Sequence, residues 1–335
     1  MSGYEELRRS AAVHPVGRDV LAVTGKDAAT YLQGQCSQDV EALVAGGTAD
    51  ALLLSPRGKV DALVRVTRRG PESFLVDVDA GHGEAVVERL TRFRLRVQVD
   101  IASLPWSCVA VRGPVAGAGM LTAAASPGEA ASPGEAASPG EPASPWEPGD
   151  RPLLLPVSWP GWTGFDLLGP TPPGGDPVAS WIAAEVTRCD REAWEAARIE
   201  AGVPVNGREV TPDTIAAELG LVDRTVSFTK GCYTGHELVA RLDARGSRVA
   251  RVLRGIVLDG RGDPPPAGAE VWTRDGAHEL GHLTSVAPPQ GSRPALALAL
   301  VHRRVEPPEA VVVRWGAGSA ARQMPAEARS LPFGG

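Results

Sequence analysis

The most informative part of this sequence is the stretch Phe228-Thr229-Lys230-Gly231-Cys232-Tyr233-Thr234-Gly235-His236-Glu237-Leu238-Val239-Ala240-Arg241. It brings one lysine, two glycines and one cysteine together, which is unusual inside a regular helix or strand. Glycines let a backbone turn sharply or approach another group closely, and a lysine near a cysteine sulfur favours the reactive thiolate. Two interpretations stand side by side: Cys232 is a reactive thiol, or it is a buried cysteine in a tight turn.

Composition and charge narrow the class of protein. The 335 residues carry 34 basic and 40 acidic side chains, a net charge of −6, with an isoelectric point of about 5.6. That balance argues against a general nucleic-acid or membrane-surface binder. The N-terminal residues are charged and lack the apolar segment of a secretory signal, and no apolar run reaches the ~18 residues of a transmembrane helix. We therefore expect a cytoplasmic protein that binds neither nucleic acid nor membranes.

No metal site or disulfide framework is expected. The chain has four widely spaced cysteines and no C-x-x-C pair: Cys36, Cys108, Cys189 and Cys232. The segment from His278 to His282 matches H-E-x-x-H, a zinc motif that requires a helix. Gly276 and Gly281 oppose a helix here, and in a strand the two histidines would lie about 13 Å apart, too far for one metal.

One segment differs in composition from the rest of the chain. From Ala124 to Pro148 the sequence repeats A-A-S-P-G-E and continues as P-A-S-P-W-E-P. Such a segment has too little apolar surface to offset its ordering entropy, so we predict a disordered insert over residues 122–150. It separates a folded part at 1–121 from a second at 151–248, with a third at 249–335.

The folded parts differ in periodicity. Strands alternate with helices in the first part, which indicates an α+β region. Along its strands Asp77 and Asp79 fall on the face opposite the valines, and we interpret that face as solvated surface. From residue 250 onward five short apolar runs alternate with Gly/Pro turns, which predicts a C-terminal β-barrel or sandwich.

The segment K-G-C-Y-T-G-H-E at residues 230–237 resembles the K-G-C-Y-x-G-Q-E signature of the YgfZ-type proteins. These are folate-dependent relatives of the glycine-cleavage T-protein (aminomethyltransferase) that support iron–sulfur cluster assembly or repair. The resemblance extends over the whole chain except the insert, through the segments Val20–Val40, Leu54–Val60, Trp162–Asp166, Arg198–Pro204 and Glu279–Ser285. It implies an α+β, three-lobed, aminomethyltransferase-like folate-binding fold with a C-terminal β-barrel, and tetrahydrofolate as the cofactor.

The resemblance also implies site residues. Cys232 would be the catalytic thiol and Lys230 its electrostatic partner. Glu200 occupies the position of the glutamate of the family's R-x-E-A-G segment, which pairs with the pterin as a planar two-point acceptor; an exposed residue at a helix end is the other interpretation. The implied cofactor-binding residues are Glu200, Tyr233, Arg241 and Asp61. Arg245 is the alternative to Arg241 for contacting the folate's glutamate tail.

Two departures from the family pattern bear on the chemistry. His236 stands where the signature usually has Gln, which adds a group that titrates near neutrality. The chain has Asp61-Ala62 where the aminomethyltransferase has an Asp-Asp doublet. Which family carboxylate Asp61 matches stays open. If the lost carboxylate assists chemistry at the folate nitrogen, ordinary aminomethyl transfer is not expected.

Three hypotheses for the function follow. The first is a tetrahydrofolate-binding factor that assembles or repairs iron–sulfur clusters in client proteins, rather than a conventional transferase. The second is a folate-dependent aminomethyltransferase or demethylase. The third is a non-catalytic interaction module on the same fold, with the insert as a docking tether.

Overall fold

The computed structural model describes residues 3–122, 125, 151–157, 159–244, 246, 248–260 and 262–333. The predicted insert falls almost wholly on residues outside this description, and Arg245 also lies outside it.

The first half of the chain forms α1 (Gly3–Arg9), β1 (Ala12–Val16), β2 (Arg18–Thr24), α2 (Ala28–Gln35), β3 (Thr48–Leu54), β4 (Val60–Gly70), β5 (Ser73–Asp79), α3 (Gly83–Arg92), β6 (Asp100–Leu104) and β7 (Trp106–Arg112). Residues 151–244 form β8 (Leu153–Pro156), β9 (Gly164–Pro170), α4 (Pro177–Trp181), β10 (Thr187–Arg188), α5 (Arg191–Ala201), α6 (Val222–Thr225) and α7 (His236–Asp243). The strands that follow are β11 (Arg251–Leu258), β12 (Glu270–Thr273), β13 (Glu279–Ala287), β14 (Ala295–His302), β15 (Glu309–Trp315) and β16 (Arg322–Arg329).

The first lobe is an antiparallel sheet in the order β3-β4-β5-β2-β6. Valines at alternate positions of β4 and β5 point to one face, as the period of two predicts, and there α2 and α3 contribute to the buried core. The opposite face carries Arg65 and Asp77, which lie directly across from each other on neighbouring strands.

The second lobe is a sheet in the order β10-β1-β7-β9-β8. Its strands come from both sides of the insert, since β1 and β7 precede it and β8, β9 and β10 follow it. The two parts predicted at 1–121 and 151–248 are therefore joined within one sheet.

The third lobe is a closed six-stranded barrel in the order β11-β14-β13-β12-β15-β16, with β16 pairing back to β11. The predicted three-lobed α+β fold with a C-terminal β-barrel is thus confirmed. The H-E-x-x-H segment runs into β13 rather than a helix. The sixth strand, β16, was not predicted, because it buries only Met324, Ala326 and Ala328 and has no continuous apolar run.

Helix α5 lies where the three lobes meet. It contacts α1, β13 and β14, and the largest buried cluster combines its residues with Leu52 of the first lobe, Ala110 of the second and Leu298 of the barrel. The lobes therefore meet in one shared buried cluster, in addition to the core that each lobe has of its own. Among the described residues, no helix combines the length and apolarity needed to span a bilayer.

One interpretation of the sequence is wrong. Asp77 and Asp79 do not lie on solvated surface: Asp77 is fully buried, and the Asp79 side chain is 23% exposed. The polar face of the first sheet turns toward the second sheet and α5. The alternation of valines with charged residues therefore identified which side chains share this face, but it did not show that other elements cover the face.

Candidate functional site

A cavity of about 830 Å³ lies where the polar faces of the two sheets meet α5 and the segment 203–208. Pockets of roughly 300–1,000 Å³ are typical of small-molecule sites. The charged side chains lining it are seven arginines and four carboxylates: Arg18, Arg65, Arg112, Arg191, Arg198, Arg208, Arg224, Asp50, Asp79, Asp166 and Glu195. The arginine excess makes it suited to an anionic ligand.

Six side chains of alternating charge form a continuous network between the two sheets, in the order Arg112, Asp166, Arg65, Asp77, Arg18 and Asp79. Asp166 accepts from Arg112 Nη2 at 2.8 Å and from Arg65 Nη1 at 2.6 Å. Arg65 donates through Nε and Nη2 to both oxygens of Asp77, each at 3.0 Å. Arg18 then joins Asp77 to Asp79, with contacts of 2.7 Å.

The network explains how these charges are tolerated in the interior. Burial alone would raise the pKa of Asp166, but the charges of Arg112 and Arg65 outweigh it and hold that pKa below its usual value. The register of the strands also holds these charges together, because Arg65 lies directly opposite Asp77 and Arg18 directly opposite Asp79 on neighbouring strands. The cavity wall is thus rigidly paired.

Aromatic rings form another part of the wall. His14 stacks on Trp194 with ring centroids 5.2 Å apart and planes 14° apart, and Trp159 lies 4.7 Å from Trp194. The Arg112 guanidinium lies 4.8 Å from the Trp159 centroid and 5.2 Å from that of Trp194. Arg112 Nε is buried, and no group in the described part of the chain forms a hydrogen bond with it. The cavity therefore combines flat apolar surfaces with cationic groups.

A second network connects α5 to the barrel. Arg198 donates to Ser285 Oγ at 2.7 Å and to Glu195 at 3.0 Å. Glu209 accepts from Thr284 Oγ1 at 2.7 Å and from Ser285 Oγ at 2.6 Å. A bulge in β13 at this point lets two consecutive hydroxyls reach one carboxylate. The barrel thereby positions the cavity-lining face of α5.

The outer part of the cavity carries less constrained arginines. Arg208 donates to Glu195 at 2.5 Å, and Arg224 pairs with Asp50 at 3.4 Å. Arg191 is exposed, and within the described part of the chain it has no ion-pair partner. These side chains can contact a charged group of a ligand without loss of the buried network.

The signature stretch lies apart from this cavity, against the end of α2. Lys230 Nζ donates to the carbonyl oxygens of Gln33, Cys36 and Gln38 at 2.6, 2.7 and 2.9 Å. An ammonium group has three donors, so all of them are used. Burial lowers the pKa of Lys230. Lys230 therefore anchors the signature stretch to the C-terminal end of α2, where a cation is favoured.

Cys232 is exposed, whereas the other three cysteines are buried. Burial raises the pKa of each buried thiol to about 12. Of the two interpretations of Cys232, the buried cysteine in a tight turn is excluded.

Two glycines bring the signature stretch against the β3–β4 turn. Gly235 has φ 81°, and a Cβ atom there would lie 2.6 Å from the Ser55 carbonyl oxygen. Gly58 of the turn has φ 70°, and its Cβ atom would lie 2.5 Å from Leu238 Cβ. Only glycine permits both the backbone angle and the close approach.

Three of the implied cofactor-binding residues belong to the signature stretch or to β4 just after the turn against which it packs: Tyr233, Arg241 and Asp61. Tyr233 is 7% exposed, its hydroxyl has no hydrogen-bond partner among the described residues, and burial raises its pKa to about 12. Arg241 pairs with Glu237 on exposed α7. Asp61 accepts from Arg89 Nε at 3.0 Å.

Glu200 lies at the junction of α1, α5 and the barrel. It accepts from the Tyr4 hydroxyl at 2.5 Å and from Arg293 at 3.0 Å. Glu195 lies five residues earlier, about 140° around the helix, and lines the cavity instead. None of the six site residues implied by the resemblance is among the described residues that line the cavity.

The sequence analysis missed the residues that do form the cavity, notably Arg65, Arg112, Asp166, Trp194 and His14. A usable signal was present. Asp77, Asp79 and Arg65 share the non-valine face of adjacent strands, and a strand face carrying both charge signs is suited to pairing.

Comparisons with known proteins extend these observations. The GCVT N-terminal domain family matches residues 13–133. An aminomethyltransferase of Corynebacterium jeikeium is 25% identical over 294 residues, covering 82% of this chain and 75% of its own length. A tRNA-modifying protein YgfZ of Yersinia pseudotuberculosis is 30% identical over 235 residues, covering 68% of this chain and 65% of the relative.

Among solved structures, the glycine cleavage system aminomethyltransferase T from Bartonella henselae superposes with a TM-score of 0.76. The match covers 99% of this chain and 88% of that one, at 22% sequence identity. This similarity shows that the three lobes have the same arrangement in both proteins.

Proposed function

Because this chain is a YgfZ-type relative of the glycine-cleavage aminomethyltransferase, we propose that it binds tetrahydrofolate and in that form supports iron–sulfur cluster assembly or repair in client enzymes. The observation that carries the proposal is the cavity, with its arginine excess beside stacked aromatic rings. The exposed thiol of Cys232 is the group available to a client.

The residues of the cavity fit the chemistry of a folate. Tetrahydrofolate joins a flat reduced pteridine ring to an aminobenzoyl group and an anionic glutamate tail. The faces of Trp159, Trp194 and His14 suit the rings, and Arg191 and Arg208 suit the tail carboxylates. When bound, the cofactor would carry one-carbon units on the ring nitrogen N5 and on N10, the amine that links the ring to the aminobenzoyl group.

The first test is anaerobic calorimetric titration of tetrahydrofolate into the wild type, Arg191→Ala and Arg241→Ala. Arg191 lines the cavity, whereas Arg241 is also an exposed arginine but lies elsewhere, where it pairs with Glu237. An exposed charge contact contributes about 1 kcal/mol, so Arg191→Ala should bind roughly fivefold more weakly, with Arg241→Ala unchanged. Equal weakening in both variants contradicts the placement of the tail, and no binding to the folded wild type favours the non-catalytic interaction module.

The role of Cys232 is tested in cells that lack the chromosomal copy. We expect Cys232→Ala and Cys232→Ser to leave iron–sulfur clients without clusters, because neither side chain supplies a thiolate. The wild-type gene is the positive control, and client cluster content is the measurement. Full restoration by Cys232→Ala would remove the thiol from the mechanism while leaving folate binding intact.

A true aminomethyltransferase is the second candidate, favoured by the aminomethyltransferase relative that covers 82% of this chain. Against it stand the signature at residues 230–237 and the sequence Asp61-Ala62. Purified protein should form no methylene-tetrahydrofolate from an aminomethyl donor. Turnover in that assay would make the second candidate correct.

A further inference from the structure

His14, in the wall of the cavity, has a fixed arrangement of its ring protons. Its Nδ1 atom lies 3.1 Å from the Cys189 carbonyl oxygen. A carbonyl oxygen only accepts, so Nδ1 must carry the hydrogen. In the neutral imidazole Nε2 is then an acceptor, and within the described part of the chain no hydrogen bond engages it.

The surroundings of His14 favour the neutral form. Burial lowers its pKa from the ordinary 6.5. Burial outweighs the hydrogen bond to Cys189 and the charges of Asp190 and Glu195, which raise the pKa, whereas the charge of Arg191 lowers it further. From β7, the Arg112 guanidinium shares the Trp194 ring on which His14 stacks.

Nε2 of His14 differs from the carboxylates of the same wall. Each of the four is already paired with at least one arginine: Asp50 with Arg224, Asp79 with Arg18, Asp166 with Arg65 and Arg112, and Glu195 with Arg198 and Arg208. His14 therefore presents an uncharged acceptor that no arginine occupies, on the edge of an aromatic stack.

We propose that His14 Nε2 accepts a hydrogen bond from a ring N–H group of the cavity's ligand, and that the ligand binds only while His14 is neutral. This rests on the proposed function, because the reduced pteridine ring of tetrahydrofolate carries several N–H groups. Protonation of His14 would make Nε2 a hydrogen-bond donor, and it would then face the N–H donor of the ligand. His14 is thus a binding residue that makes folate affinity depend on pH.

The experiment compares tetrahydrofolate affinity at about pH 7.5 and about pH 5.5 in four proteins. Wild type should lose affinity toward the lower pH, and the loss should reach about fivefold, the value of one hydrogen bond, once the His14 ring is fully protonated. His14→Gln retains an acceptor that does not titrate, so it should lack this loss. His14→Phe retains the stack on Trp194 without an acceptor, so it should bind weakly at both pH values.

The control is His278→Gln, on the exposed barrel hairpin, which should follow the wild type. Protonation of tetrahydrofolate itself affects all the proteins equally. It therefore does not contribute to a difference in affinity between two variants measured at the same pH. An independent readout is the NMR titration of the His14 ring in the wild type. Its pKa should fall further when tetrahydrofolate is bound, since the ligand selects the neutral form.

The outcomes separate the two proposals. Wild-type binding with the same pH profile in His14→Gln, or with no change of the His14 titration in the complex, overturns the role of His14 and leaves folate binding standing. Absence of tetrahydrofolate binding to the folded wild type overturns both.

Discussion

Arg65 shows how one side chain can join two sheets and still line a cavity. Its guanidinium pairs with Asp77 of its own sheet and with Asp166 of the other. A buried charge without a partner is strongly destabilising, whereas a fully paired one is tolerated. These ion pairs form in the absence of a ligand, so the side chains of the cavity wall are already oriented when a ligand binds.

Glu195 and Glu200 allow a residue-level test of where the cofactor binds. Glu195 lines the cavity, whereas Glu200 is 4% exposed and lies against Tyr4 and Arg293. We expect Glu195→Gln to strengthen tetrahydrofolate binding by about three- to tenfold, because it removes a negative charge from the cavity wall and frees Arg208 for the anionic tail. Glu200→Gln should lower the midpoint of thermal unfolding but leave the dissociation constant of the folded protein unchanged. Weaker binding in Glu200→Gln alone would restore the placement that the family resemblance implies.

At the scale of elements, the signature stretch is a joint between α2 and the β3–β4 turn. Lys230 binds the carbonyls at the end of α2, and Gly235 lets the backbone approach the turn. These contacts leave Cys232 exposed on a well-supported loop. The signature residues thus determine the local geometry of this joint.

Gly235→Ala measures this close approach. Gly46 is the matched control, because its φ is also 81° but an added Cβ atom would meet nothing within 4 Å. Gly46→Ala should cost about 1 kcal/mol for the left-handed backbone alone. Gly235→Ala should cost at least about 1 kcal/mol more, because of the contact with Ser55. Urea unfolding of both variants checks the difference, and equal losses would show that the joint can relax.

At the scale of the whole molecule, the charge networks make stability depend on acid pH. The folded-state pKa values of Asp166 and Glu195 lie below their ordinary 3.8 and 4.5. The unfolded chain therefore binds more protons than the folded one in acid. Their contribution is present above the ordinary values and is lost as the pH falls through the folded-state pKa values.

We expect the urea midpoint of the wild type to fall between about pH 5 and about pH 3. Asp166→Asn should be less stable at neutral pH by roughly 3–5 kcal/mol, because Arg65 and Arg112 lose a buried partner. Its midpoint should then fall less steeply in acid, since one of the titrating groups is gone. A variant with the wild-type slope would place the acid sensitivity elsewhere.

Much of the architecture was predictable from the chain alone. The alternation of apolar and polar residues along β4 and β5 identified these strands and their buried faces. Short apolar runs separated by Gly and Pro indicated the barrel. The segment at residues 230–237 indicated the family. Strand β16 could not be predicted in this way, because its pairing with β15 and β11 comes from barrel closure rather than from apolar residues.

The sequence by itself therefore predicted the strands of the first lobe and the C-terminal barrel from their periodicity, and the three-lobed fold class through the resemblance carried by residues 230–237, because periodicity and motif spacing are local properties. Only the tertiary structure decided that the polar face of β4 and β5 is an interior wall, that Glu195 rather than Glu200 lines the cavity, and that Lys230 is an anchor. Each of these depends on what lies across from a side chain, and that partner is more than a hundred residues away for Arg65 with Asp166 and for Lys230 with Gln33.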